Sequence, residues 1–179
     1  RAGYGADRHS RRMSLTVKDR LRAQFAQNQN GFLEWIARDN GLSTLDVVEL
    51  LPEPTRTILG SERLPDVLED LTHWGELFII VQTGSIVAEI VSHMPSASVA
   101  RGHYNFAGGH PFGGHLRQDA CKHIVFIERM RGERLSKSLQ LFDVAGESIL
   151  KVFVRRDEAR ELLAHQVARF DALKGRLVA

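Results

Sequence analysis

Residues 102–121, GHYNFAGGHPFGGHLRQDAC, concentrate reactive side chains in one glycine-rich stretch. His103, His110 and His115 fall among five glycines, and Cys121 ends the stretch. An imidazole can bind a metal ion or move a proton near neutral pH. Glycines are expected wherever a turn needs positive φ, but turns do not account for three histidines. The stretch is therefore the first candidate for a functional site.

Histidines and a cysteine in one stretch could form a zinc site. A zinc site uses three or four ligands at short, characteristic spacings, such as C-x-x-C or H-E-x-x-H. His103, His110, His115, His123 and Cys121 show neither spacing, and no carboxylate motif accompanies them. The pattern argues against a structural zinc site.

Covalent hydrolysis and phosphate binding lack their motifs as well. The sequence has no G-x-S-x-G element, and Cys121 precedes an apolar run rather than a basic one. It also has no P-loop and no dinucleotide-binding glycine pattern. These absences disfavour a hydrolase or a nucleotide-binding enzyme.

Haem binding needs fewer ligands from the protein. The porphyrin supplies four nitrogens, so one axial histidine, an apolar cleft and a few cationic groups for the propionates suffice. A glycine-rich segment with histidines beside a sheet could provide a ligand and a close approach of backbone to a flat ring. Spacing alone does not select this chemistry, because most histidines are surface or core residues.

Composition limits the class of protein. The chain has 179 residues, 43% of them hydrophobic and 26% charged, with a formal net charge of +2. These values predict one folded domain over residues 13–179 and give no reason to expect nucleic acid as a partner.

A single cysteine is typical of a reducing compartment, and no apolar run approaches the ~20 residues that span a bilayer. We expect a cytoplasmic protein without membrane insertion. Residues 1–12 are interpreted as a basic tail, with Met13 as a candidate natural start.

Helices dominate the first part of the chain, residues 13–73. Apolar spacing and capping residues predict a helix over 14–28, a second from Phe32 to the Asn40-Gly41 cap, a third from the Ser43 cap to Pro52, and a fourth from Leu64.

Strands and a closing helix fill residues 74–179. The predicted strands cover 76–82 and 85–91, joined by Thr83-Gly84, then part of 121–129, 139–143 and 148–156. In the last of these, Leu150, Val152 and Val154 alternate with Lys151, Phe153 and Arg155, so one face is expected on a core and the other partly outside. A final helix is expected after an Asp157 cap, with Gly175 beyond it. This order predicts an α+β fold with N-terminal helices, a large antiparallel sheet and a C-terminal helix.

A helix-turn-helix is an alternative for residues 31–51. The segment IARDNGLSTLDVVELL has the helix, glycine turn and serine cap of that motif. Its second helix, however, offers Asp46 and Glu49, which an anionic duplex would repel. A helical hairpin packed on the sheet is therefore favoured over a DNA-binding regulator.

The order of several motifs resembles a known family. GHYNFAGG, GGHLRQDACKHIVFIER, LKVFVRRD and ELLAHQVARF follow one another, preceded by LDVVELLP and THWGE. Together they resemble the HutX/ChuX intracellular haem-utilisation carriers, single-half relatives of duplicated haem-degrading factors, from about Leu33 to Phe170. The resemblance implies a large antiparallel sheet, a homodimer, and binding of b-type haem in the cytoplasm. It also implies a haem importer or haem-degrading protein as a partner.

The resemblance also implies site residues. The histidine of its G-H-[LI] motif falls on His115, which is the expected iron ligand. A second family histidine stands in a V-H-T context, where this chain has Val81-Gln82-Thr83, and Gln82 is not a strong iron ligand.

Other residues are weaker candidates for haem contacts. His110 and Tyr104 are candidates for the pocket, and Arg101 and Arg117 for the propionates; the roles of His93 and His103 stay open. The function expected is a haem carrier. The alternatives are an enzyme that degrades or reduces haem with an external electron donor, and the DNA-binding regulator.

Overall fold

The computed structural model describes residues 6–179, with side chains from residue 17 onward. Its helices are α1 (Ala6–Gln27), α2 (Leu33–Asp39), α3 (Thr44–Val48), α4 (Leu64–Leu71) and α5 (Ala164–Val178). Its strands are β1 (Arg56–Gly60), β2 (Glu76–Gln82), β3 (Val87–His93), β4 (Ala97–Ala100), β5 (His103–Phe106), β6 (Gly114–Arg117), β7 (His123–Arg131), β8 (Arg134–Phe142) and β9 (Ser148–Phe153).

The strands form two antiparallel sheets. The main sheet has six strands in the order β1-β7-β8-β9-β2-β3, and the small sheet has three in the order β4-β5-β6. Helices lie at both ends of the chain, so the predicted α+β class with a large antiparallel sheet is confirmed. The small sheet was not predicted as a separate unit.

One face of the main sheet carries the larger core. Leu150, Val152 and Val154 are buried in it, as their alternation predicted. Phe170 of α5 meets Trp74 and Phe126 edge to face, with ring centroids 6.2 and 5.1 Å apart. Burying a side chain of this size contributes about 1.5–3 kcal/mol. Tyr104 of β5 and Leu116 of β6 belong to the same core as Phe170, so the α5 helix and the small sheet lie on the same side of the main sheet.

The N-terminal helices cover part of the other face. Phe25 of α1 and Val47 and Val48 of α3 are buried against Val125 and Phe142 of the main sheet. The α3 helix has only five residues and turns its apolar side to the sheet. The segment that resembled a helix-turn-helix is thus a helical hairpin packed on the sheet.

The caps of the short helices follow the sequence. Asn40 ends α2, and Ser43 caps α3 in a reciprocal capping box with Asp46. Lys18 of α1 also donates to Asp46, with Nζ 2.7 Å from Oδ1. Burial alone would raise the pKa of Asp46, but the hydrogen bonds from Lys18 and Ser43 outweigh it and lower that pKa.

Several boundaries differ from the prediction. The first helix begins at Ala6 instead of residue 14, so part of the expected tail is helical, while residues 1–5 lie outside the described residues. The β1 strand was missed. The turn between β2 and β3 has four residues, 83–86, because the Thr83 side chain accepts from the backbone of Ser85 and Ile86. Helix α5 starts after Leu163.

The prediction for the closing helix was wrong at both ends. Asp157 caps a separate turn, in which its Oδ1 accepts from the Glu161 backbone N–H at 2.9 Å. Gly175 lies inside α5 instead of ending it. An exposed glycine in a last turn costs only about 1 kcal/mol, which packing of the helix on the sheet can offset.

Candidate functional site

The glycine-rich stretch forms β5, β6 and the loop between them. Arg101 and Gly102 make the β4–β5 turn with φ of +53° and +75°, the pair of positive values that a two-residue type I′ turn needs. The register sets His103 opposite Arg117 and Asn105 opposite His115. Opposed residues of an antiparallel pair share a face. These four side chains therefore lie on one face of the small sheet.

His115 is held by a side chain of the neighbouring strand. Its Nδ1 lies 2.7 Å from Oδ1 of Asn105. The Asn105 amide nitrogen in turn donates to the backbone carbonyls of Ser98, Ala100 and His103, each at 3.2 Å. The imidazole is exposed but oriented.

His103 lies beside His115. The two ring centroids are 6.3 Å apart and the rings stand almost perpendicular, at 80°. Nδ1 of His103 lies 2.9 Å from the carbonyl oxygen of Arg101. Both histidines therefore use Nδ1 for a local hydrogen bond.

An apolar cleft opens next to His115, between the small sheet and the main sheet. It has a volume of about 150 Å³ and is lined by Val81, Phe106, Phe112, Gly113, His115, Leu116, Ile149 and Leu150. Phe106 and Phe112 pack edge to face at 5.1 Å. Pockets for drug-sized ligands measure roughly 300–1,000 Å³. The cleft can therefore enclose one edge of a flat macrocycle and leave the rest outside.

Gln82 lies on the other side of the main sheet. Successive residues of a strand face opposite ways, and Val81 lines the His115 cleft while Gln82 lines a cavity of about 210 Å³ under α2. Trp35 and Lys151 border the same cavity. Within one chain the two positions that the resemblance joined are not brought together.

The remaining predicted residues are dispersed. His110, in the loop before β6, lies near His93, with ring centroids 6.0 Å apart. Tyr104 is only 8% exposed and belongs to the core. Arg117 is on the His115 face and pairs with Asp119 at 3.1 Å, both side chains being exposed. Arg101 is exposed at the turn.

The comparison with protein families agrees with this geometry. Residues 57–173 match the sequence model for haem utilisation ChuX/HutX proteins, and that range holds both sheets from the second residue of β1 onward and most of α5. The chain belongs to the ChuX/HutX family.

Relatives of known name or structure cover most of the chain. It is 31% identical over 140 residues to the intracellular heme transport protein HutX of Vibrio cholerae, covering 78% of this chain and 72% of HutX. A protein of Erwinia carotovora of known structure is 34% identical, with a TM-score of 0.83 over 88% of this chain and 98% of its own. A structure of the heme binding protein ChuX is 29% identical, with a TM-score of 0.81 over 89% and 99%.

The open half of the main sheet is a feature that sequence reasoning missed. A groove of about 770 Å³ runs over its exposed face, with Phe78, Ile80, Val91 and Phe153 in its lining. Arg131, Arg134, Arg155 and Arg156 border it. Arg155 is paired with Glu76. The alternation in the last predicted strand, 148–156, indicated one face partly outside the core but not this row of arginines, which comes from two segments, 131–134 and 155–156.

Cys121 does not have the environment of a nucleophile in this ChuX/HutX chain. It is buried, and its Sγ donates to the carbonyl of His123 at 3.4 Å. Burial raises the pKa of the thiol to about 11, so the thiol stays protonated at neutral pH.

Over the residues that the structure describes, no group of three or more histidine, cysteine, aspartate or glutamate side chains could hold a metal ion. In the same part of the chain, no helix is both long and apolar enough to cross a membrane.

Proposed function

We propose that this chain binds haem and holds it for transfer during haem uptake, as a carrier. The observation that carries the proposal is His115, an oriented imidazole at the rim of an apolar cleft. Because its Nδ1 is occupied by Asn105, Nε2 is the nitrogen left for iron. The names of HutX, an intracellular heme transport protein, and of ChuX, a heme binding protein, support the proposal.

The residues around His115 fit a haem edge. Phe106, Phe112 and Leu116 line the cleft at whose rim His115 stands. Phe106 and Leu116 face away from His115 across the small sheet, so they would contact only a porphyrin edge that enters the cleft. A Cβ added at Gly113 or Gly114 would meet no atom within 4 Å, so a flat ring can approach the backbone there. Arg117 is the cation of the same face, and we propose that it exchanges Asp119 for a propionate.

The bound haem is proposed to be b-type, held without a covalent bond. His115 is the strong iron donor among the described residues that line the cleft. A single histidine and shallow burial favour a site that releases its ligand, which suits a carrier in the cytoplasm. The protein that delivers or accepts the haem is proposed to be an importer or a haem-degrading enzyme.

A homodimer is proposed as the working form. The main sheet ends at β3, whose outward side exposes Val87 and Val91, 55% and 44% accessible. Phe32 and Trp35 of the nearby α2 region are also exposed. A contiguous apolar patch of this kind marks an interaction site, and a second copy offers the same patch, as an isologous interface requires.

Titration of the purified apoprotein with haemin tests the proposal. A saturable Soret shift near one haem per chain is expected. A haemin spectrum that stays in its free form would overturn it. Adding ascorbate or a reductase to the haem complex, under oxygen and with catalase present, distinguishes a carrier from an enzyme. The carrier keeps its Soret band, whereas sustained bleaching would indicate a haem-degrading enzyme.

A further inference from the structure

The hydrogen-bond partners of the Asn105 side-chain amide show which end is the NH₂ group and which is the carbonyl oxygen. Its amide nitrogen faces the carbonyl oxygens of Ser98, Ala100 and His103, each 3.2 Å away. Carbonyl oxygens only accept hydrogen bonds, so the NH₂ end must point at them. The carbonyl end, Oδ1, is therefore the end that faces His115.

This orientation decides where His115 carries its hydrogen. Oδ1 of Asn105 is an acceptor only, and it lies 2.7 Å from Nδ1 of His115. The hydrogen bond forms only if Nδ1 is protonated, which in a neutral imidazole leaves the lone pair on Nε2. Iron binds through that lone pair.

We propose that Asn105 is a positioning residue, which holds His115 in the Nδ1–H tautomer and aims Nε2 at the iron of haem. The part of the inference that concerns iron rests on the proposed function. The part that concerns the tautomer of His115 does not. Residues that hydrogen-bond to a metal-ligating histidine fix its tautomer and ring orientation, and their loss typically costs 10–100-fold in metal affinity.

His103 provides an internal control. Its Nδ1 bonds to the backbone carbonyl of Arg101, at 2.9 Å, so its tautomer does not depend on an Asn105 acceptor. A change at residue 105 that acts on His115 through the hydrogen bond should leave the His103 ring nitrogens unchanged. A change that merely disrupts the strand pair should alter both histidines.

The first experiment uses the apoprotein and needs no haem. Long-range ¹H–¹⁵N correlation spectra of histidine-labelled parent protein, at a pH where His115 is neutral, report which ring nitrogen carries hydrogen. We expect the Nδ1–H form for His115 and for His103. An Nε2–H form of His115 in the parent would overturn the inference, whatever the variants do.

The second experiment compares Asn105→Leu with Asn105→Asp. Leucine removes the acceptor, and aspartate keeps it. We expect Asn105→Leu to mix the His115 tautomers, to weaken haemin binding roughly 10–100-fold, and to lower the iron–histidine stretching frequency of ferrous haem. Asn105→Asp gives up the hydrogen bonds to the carbonyls of Ser98, Ala100 and His103 but keeps an acceptor for Nδ1 of His115. It should keep the Nδ1–H tautomer and raise that frequency, because an anionic partner makes the imidazole a stronger electron donor to iron.

The outcomes separate this inference from the proposed function. A parent that shows the Nδ1–H tautomer but leaves the haemin spectrum unchanged contradicts haem binding alone. A parent that binds haem while Asn105→Leu keeps the parental affinity and iron–histidine frequency contradicts the role of Asn105 alone. Circular dichroism of each variant, and the unchanged His103 signals, check that the small sheet is intact.

Discussion

Gln82 and His115 lie on opposite sides of the main sheet, although the residue next to Gln82, Val81, lines the His115 cleft. The alternation of side chains along β2 is the cause. A ligand in the cleft therefore meets His115, and reaches a side chain at position 82 only if that side chain comes from a second chain. Substitutions at the two positions are therefore expected to affect haem binding differently.

Removing His115 should weaken haem binding and leave the fold intact. In His115→Ala the cleft keeps its apolar lining but loses the imidazole proposed as the iron ligand. The affinity for haemin should fall at least as far as in Asn105→Leu, because the ligand itself is lost and not only its orientation, and the Soret maximum should move. Because the side chain is exposed, the circular dichroism spectrum should match that of the parent.

His110→Ala is the matched control for that experiment. His110 is also an exposed histidine of the glycine-rich stretch, but it lies beside His93 and not beside the cleft. Its haemin titration should match the parent. If His115→Ala keeps the parental affinity and spectrum, His115 is not the ligand, and His93, His103 and His110 become the residues to test.

Gln82→His should leave haem coordination unchanged in a single chain. The new imidazole would face the cavity under α2, near Trp35 and Lys151. Electron paramagnetic resonance of the ferric complex should therefore match the parent spectrum. A shift to low-spin, six-coordinate iron would show that the residue at position 82 meets the haem. Because residue 82 points to the side of the main sheet opposite the His115 cleft, that imidazole would then have to come from the partner of a dimer.

Much of the fold could be predicted because its signals are local. The alternation in β9 and the capping box of α3 depend on residues within one segment. The β1 strand was missed because its five residues follow a proline-rich turn and are ordered by pairing with β7, which is far away along the chain. The division into two sheets also depends on long-range pairing that no local pattern encodes.

The candidate site was only partly predictable for the same reason. The motif around His115 is visible in the sequence, but its bond to Asn105 exists only through the β5–β6 register. The facing of Gln82 relative to His115 depends on where the small sheet packs. The role of His115 as iron ligand stays a prediction that rests on the resemblance and on the cleft.

Glu128 should make the stability of the fold depend on pH in the acid range. Lys137 donates to it at 2.7 Å, and Lys174 of α5 donates to its other oxygen. Burial alone would raise the pKa of Glu128, but these two ammonium groups outweigh it and hold that pKa below 4.5. A carboxyl with a lowered folded-state pKa stabilises the fold above its unfolded value and loses this contribution as the pH falls through the folded value.

Glu128→Gln tests that contribution. Hydrogen bonds to charged groups contribute roughly 1.5–3 kcal/mol, so urea unfolding at pH 7 should show a loss of about that size. The difference between variant and parent should shrink below pH 4. Glu133→Gln, at the exposed turn between β7 and β8, is the control and should unfold like the parent. A difference that stays constant from pH 7 to pH 3 would contradict the linkage.

Gln166 should be among the residues that most strongly stabilise the docking of α5. Its side chain is fully buried; Nε2 donates to the carbonyls of Trp74 and Glu76, and Oε1 accepts from the Arg155 backbone N–H. In Gln166→Leu three backbone groups lose a partner, and each unsatisfied group costs about 1–3 kcal/mol. The free energy of unfolding should fall by about 3 kcal/mol or more, against no change for the exposed Gln24→Leu in α1.

A positive charge introduced on β3 should dissociate the proposed dimer into monomers. Val91 is exposed on the face that borders the arginine-lined groove, so Val91→Lys would place an ammonium inside the interface, where desolvation is unfavourable. Sedimentation of the parent at micromolar concentration should show a dimer of the 20.1 kDa chain, and that of the variant a monomer. Val99→Lys changes an equally apolar, 59% exposed valine on the small sheet and should remain dimeric. If Val99→Lys dissociates the dimer and Val91→Lys does not, the interface lies on the small sheet, and the haem site would then be covered by the partner instead of open.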